Sequence, residues 1–132
     1  MTVAFWCVMV AFLLPVICAA IAKFGSGKFK SGHNRDPRAF LDTLEGFPRR
    51  AHAAQQNSYE VNPFFAAAVI IAHITDNASL VTIDVLAVLF LTSRLLYIIF
   101  YLADLAALRS IIWLVGLGLI IALFGFAAVP AG

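Results

Sequence analysis

From Met1 to Ala22 the chain carries no charged side chain, a run long enough for an α-helix to cross the roughly 30 Å hydrocarbon core of a bilayer. In that core each backbone amide and carbonyl needs a partner, and a single apolar run of this length satisfies them only as a helix. Basic residues follow the run and do not precede it, so it reads as a retained span and not as a secretory signal. Pro15 lies inside it and is expected to bend it, which membrane helices tolerate. The rest of the chain agrees: of 132 residues 63% are hydrophobic and 12% charged, with mean hydropathy +0.97, far from the soluble norm. One all-α membrane domain is therefore expected. A formal net charge of +2 is too slight to imply a nucleic-acid partner.

Three further spans follow. The stretch Lys23 to Phe47 switches to Gly, Ser, Lys, Arg and Asn with little helical periodicity, as an extramembrane loop would. Pro63 to Ala72 is apolar but too short alone, so the second span has to borrow the polar residues before it, with Pro48 in the first turn. The short His73-Ile-Thr-Asp-Asn segment turns the chain back into a third span that carries Asp84 and Arg94. A fourth contains Gly116, Gly118 and Gly125, small residues that allow close helix approach. The expected spans are about residues 2–23, 48–73, 78–102 and 109–129, with 24–47 as a loop. Of nine basic residues, seven (Lys23, Lys28, Lys30, Arg35, Arg38, Arg49, Arg50) lie in or beside the first loop, and Arg109 lies in the third. The positive-inside rule then puts both loops in the cytoplasm and both termini on the other side.

Several polar residues fall where lipid should exclude them. Arg50, Asn57 and Glu60 are spaced by seven and three residues, so they share one face of the second helix. That stripe should face other helices or a wet pocket; joining helices by hydrogen bonds is the plainer role for Asn57 and Glu60, and anchoring at the interface for Arg49. On the third helix Arg94, Tyr97 and Tyr101 stand at i, i+3 and i+7, again one face. A charge at helix centre costs on the order of 2.5–3.5 kcal/mol, so Arg94 needs a partner, and Glu60 is the expected one. Asp84 lies nearer the opposite surface, as a hydrated helix-end residue would. Tyr97 and Tyr101 also fit an aromatic belt, but their alignment with Arg94 favours a site. Arg109 opens the last helix, where Ser110 and neighbouring amides offer an anion site. Cys7 and Cys18 are separated by about 16 Å of helix rise, too far to bridge. His33, His52 and His73 are dispersed, and no metal-binding, triad or nucleotide motif is present.

In these stretches the chain resembles the MAPEG family, the membrane-associated proteins in eicosanoid and glutathione metabolism, in a bacterial-type form. Asn57, Glu60 and Pro63 match the family's Asn-x-x-Glu-x-x-Pro, and Arg94, Tyr97 and Tyr101 with Arg109 match its Arg-x-x-aromatic-x-x-x-Tyr followed by a basic residue. The resemblance implies an integral membrane four-helix bundle assembled as a homotrimer, in a bacterial inner membrane. It further implies glutathione bound between adjacent subunits near the cytoplasmic face, and a lipophilic small-molecule electrophile arriving from the lipid bilayer. By the same resemblance Arg50, Asn57, Glu60, Arg94, Tyr97 and Tyr101 bind glutathione, and Arg109 stabilises its thiolate as the catalytic residue. The chain departs from mammalian members at Ala53, where they have an Arg; Arg50 stands about one turn further away.

The residue chemistry is coherent with that role. A thiol of pKa near 8.5 reacts as thiolate, and a permanently charged guanidinium beside it raises the reactive fraction at neutral pH. Glutathione brings two carboxylates and an ammonium, which Arg50 or Arg94 and Glu60 match by charge. The expected function is a glutathione transferase or peroxidase acting on lipophilic electrophiles. The alternatives are a non-catalytic membrane scaffold or lipid-binding protein of the same fold, and a small drug exporter. Such exporters resemble one another in a membrane-embedded Glu on the first helix, which this first helix lacks.

Overall fold

The computed structural model describes residues 1–130. Four long helices, α1 (Val3–Gly25), α3 (Gly46–Thr75), α4 (Leu80–Leu102) and α5 (Ala106–Ala128), run up and down, with a short α2 (Pro37–Asp42) between the first two. Helix α1 packs on α3 and α4, and α5 packs on α4 and α3. Three of them, α1, α4 and α5, are 23 residues each and apolar enough to cross a membrane, about 34 Å at 1.5 Å per residue. Helix α3 is longer, 30 residues, and more polar in its first half.

Small residues bring α1 and α3 together: Ala4, Cys7 and Ala11 meet Ala68, Val69 and Ala72, while Phe65 stacks on Phe90 of α4 at 4.0 Å between ring centroids. Large apolar side chains such as Phe12, Ile17, Val81, Leu114 and Ile121 point outward, an exposure that suits lipid. Pro15 removes the amide that would bond the Ala11 carbonyl, and the Nδ2 of Asn62 on α3 donates to that carbonyl instead, at 2.7 Å. At the end holding the α3–α4 turn, the Ala4 amide donates to Asp84 Oδ1 at 2.8 Å and Asn77 Nδ2 donates to the Ala127 carbonyl at 2.7 Å. Asp84 thus caps the start of α1.

The segment 24–47 is more ordered than its composition suggests. A 3-10 turn (Ser31–Arg35) precedes α2, which Asp36 caps through the Ala39 amide at 3.1 Å, with Pro37 opening the helix. Phe40, Leu41 and Leu44 bury against Ala22 and Ala51. This Asp-Pro start was the available signal, but six residues are too few to show a period. Helix α3 begins at Gly46 and α5 at Ala106, ahead of Pro48 and Arg109.

The α4–α5 turn is a Schellman motif. The Leu105 amide donates to the Phe100 carbonyl at 2.9 Å and the Asp104 amide to the Tyr101 carbonyl at 3.1 Å. Asp104 sits at φ +60°, the left-handed position that glycine usually fills. A β-branched residue there meets the left-handed penalty in full, so Asp104→Val is expected to lower stability by about 1–2 kcal/mol, read as thermal unfolding in detergent. Unchanged unfolding would mean that the turn readily adopts another form.

Candidate functional site

Arg94 is 2% exposed. Its Nη2 donates to Asn57 Oδ1 at 2.9 Å and to Ser58 Oγ at 3.2 Å, and the Ser58 hydroxyl in turn donates to the Ala54 carbonyl at 2.9 Å. Neutral oxygens therefore hold the guanidinium. The expected Arg94–Glu60 pair is not formed: Glu60 is exposed on α3, and among the described residues the one ion pair is His52 with Asp42, at 3.8 Å. Helical angle alone predicted Glu60; the direction of the Arg94 side chain selects Asn57 and its neighbour Ser58.

From Arg94 a ladder of cations and rings runs toward the α4–α5 turn. The Arg94 guanidinium carbon lies 4.2 Å from the Tyr97 ring centroid, the Tyr97 and Tyr101 rings meet edge to face at 5.7 Å, and the Arg109 guanidinium carbon lies 4.3 Å from the Tyr101 centroid. The periodicity on α4 supplies the two rings and the Schellman turn brings Arg109 over the second. Each cation–ring contact contributes about 0.5–2 kcal/mol, more where water is excluded.

Asn57, Tyr97, Tyr101 and Arg109 together line a cavity of about 410 Å³, completed by Ser110, Trp113 and Leu114. Sequence reasoning missed Ser58 and Trp113. Trp113 was legible as the residue one turn after Arg109 on the same face, whereas Ser58 had no such signal. Arg109 has no carboxylate partner among the described residues, so its charge is available to an anion in the cavity. The helix-end amides are placed differently from expectation. The Arg109 amide already donates to the Leu105 carbonyl at 2.9 Å, so the unpaired amides of α5 belong to residues 106–108 and not to Ser110.

Arg50 stands apart from this cluster. Its Nε and Nη2 both donate to the Leu102 carbonyl, each at 3.3 Å, tying α3 to the last residue of α4. Of the three glycines on α5, only Gly116 meets a neighbouring helix, where a Cβ would come 3.1 Å from Ser93 Oγ; nothing approaches Gly118 or Gly125 within 4 Å. A larger cavity of about 640 Å³ lies at the other end, lined by Asn77, Ser79, Thr82 and apolar residues. It offers no charged or nucleophilic group suited to chemistry on a thiol.

No curated protein and no solved structure matches the chain. The MAPEG family model matches residues 3–129, nearly the whole of it and every residue of the cluster, and the chain therefore belongs to the MAPEG family.

Proposed function

We propose that the protein is a membrane-bound glutathione-dependent transferase or peroxidase acting on lipophilic electrophiles. The observation that carries this reading is Arg109, without a carboxylate partner among the described residues and stacked on Tyr101 at the wall of a cavity that also presents Asn57 and Tyr97. In the proposed assembly, a homotrimer of four-span subunits, α3 is the remaining span and the cavity opens near the cytoplasmic face. Glu60, exposed on its own subunit, takes the ammonium of glutathione bound by the adjacent one.

Arg109 holds the glutathione sulfur as thiolate, and Asn57, Tyr97 and Ser110 supply hydrogen bonds to the tripeptide. Trp113 and Leu114 form the apolar wall against which an electrophile from the bilayer rests. In conjugation the thiolate sulfur bonds to the electrophilic carbon and the leaving group departs with its electron pair. In peroxide reduction the thiolate sulfur bonds to the terminal oxygen as the O–O bond breaks, giving glutathione sulfenic acid and an alkoxide that takes a proton from water, and a second glutathione converts the sulfenic acid to the disulfide with release of water. Arg94 acts at one remove, by orienting Asn57 and Tyr97.

A scaffold without catalysis is favoured by one observation, that the hydrogen bonds of Arg94 go to α3 and so join two helices whether or not a ligand is present. Titration of the detergent-purified protein with glutathione separates the two. Saturable heat of binding and a raised unfolding temperature are expected, the latter by mass action on the folded state. No heat and no shift at millimolar glutathione would leave the scaffold reading.

A further inference from the structure

A second polar cavity, of about 560 Å³, lies where α1 ends and α3 begins, and its wall includes Ser26, Lys28, Thr43 and Glu45. It shares no residue with the Arg109 cluster. Lys28 and Glu45 are exposed and form no ion pair with each other or with any other described residue. Glu45 is the N-cap residue of α3, yet its carboxylate makes no capping bond. Ser26 is already committed, donating to the Lys23 carbonyl and accepting the Lys28 amide, whereas Thr43 donates to the Phe40 carbonyl at 2.7 Å and keeps lone pairs to accept with. The cavity lining thus includes one cation, a carboxylate and a hydroxyl acceptor. Exposed rings stand beside it: Phe24 and Phe47 are next in sequence to the lining residues Gly25 and Pro48, they are 70% and 44% exposed, and the Phe47 ring approaches the Cβ position of Gly25 at 3.8 Å.

We propose that this cavity seats the headgroup of an ammonium-bearing zwitterionic phospholipid, phosphatidylethanolamine in chemistry. The Lys28 ammonium meets the phosphate, Glu45 and Thr43 accept from the lipid ammonium, and the acyl chains descend past Phe24 and Phe47. The room suffices: about 150 Å³ holds a benzene-sized ligand, so the cavity takes a phosphoethanolamine with part of its glycerol. Glu45 favours such a headgroup over a purely anionic one, which it would repel, and the exposed rings beside the cavity give a lipid a contact that a water-soluble zwitterion cannot use. This site rests on the membrane-spanning reading of α1 and is independent of glutathione use.

The test is native mass spectrometry of the full chain released from nanodiscs holding equal phosphatidylethanolamine and phosphatidylglycerol. Retention of the former is expected to exceed the latter by about tenfold, the worth of one charge-assisted contact. Glu45→Lys should reverse that preference, and the exchange Lys28→Glu with Glu45→Lys should bring it back to within a few fold. Both positions are exposed, so the variants leave the helix packing intact. Equal retention of the two lipids by the wild type, or a preference unmoved by Glu45→Lys, would overturn the site. Displacement of the lipid by glycerophosphoethanolamine or glutathione at equal concentration would overturn the lipid as occupant and make a soluble zwitterion the ligand.

Discussion

Arg109→Ala is expected to lower glutathione-dependent turnover by about one to two decades while leaving glutathione binding largely in place. The guanidinium stacks on Tyr101 and lines the cavity, and one charge-assisted contact is worth about 1.5–3 kcal/mol. The sign follows from the acid–base equilibrium of the bound thiol. A neighbouring cation favours thiolate and holds the thiol below its ordinary pKa near 8.5; its removal lets the pKa rise, so less thiolate is present at neutral pH. Ultraviolet thiolate absorbance followed against pH in both proteins measures the shift directly. An unchanged thiol pKa with binding intact would mean that Arg109 serves the topology alone, and the thiolate partner would be sought at Arg50 or Arg94.

Gly116→Leu should damage the fold and the site together. A Cβ there would come 3.1 Å from Ser93 Oγ and 3.8 Å from the Phe90 ring. The Ser93 hydroxyl is itself held at 2.6 Å to the Phe90 carbonyl, so it cannot turn aside without losing that bond. Overpacking of this kind costs about 1–3 kcal/mol. Gly116 lies seven residues from Arg109 and so on the same face of α5, which means that pushing α5 off α4 also carries Arg109 away from Tyr101. Unfolding temperature and turnover should fall together. Gly118→Leu, at a position with nothing within 4 Å, is the control and should leave both near the wild type. Equal behaviour of the two variants would refute the close approach.

What could be read in advance divides along one physical line. Apolar runs of sufficient length announce themselves, and α1, α4 and α5 are such runs. Angular position on a helix is also legible: the i, i+3, i+7 spacing of Arg94, Tyr97 and Tyr101 predicts one face, and the three side chains meet in sequence along it. Depth and reach are not. Arg50 shares a face with Asn57, yet seven residues of rise place it about 10 Å nearer the helix start, level with the Leu102 carbonyl that it bonds. Arg94 reaches Asn57 and Ser58 in place of Glu60 because side-chain direction, absent from a helical wheel, decides between residues of similar angle. The glycines show the same limit: composition marks three places where helices can approach, and only the packing says that Gly116 is one.

The bond from Asn62 to the Ala11 carbonyl has a consequence for biogenesis. Helix α1 is synthesised before α3, and its proline leaves one backbone acceptor without a donor inside the hydrocarbon, where each such group costs several kcal/mol. The donor is 51 residues further along the chain, so it cannot arrive until most of α3 has been synthesised. Until then α1 is an incomplete membrane segment, best kept at a lateral gate or a wet interface. Pairing with α3 is the event that satisfies this carbonyl, so the bond from Asn62 ties the lipid compatibility of α1 to the arrival of its partner helix.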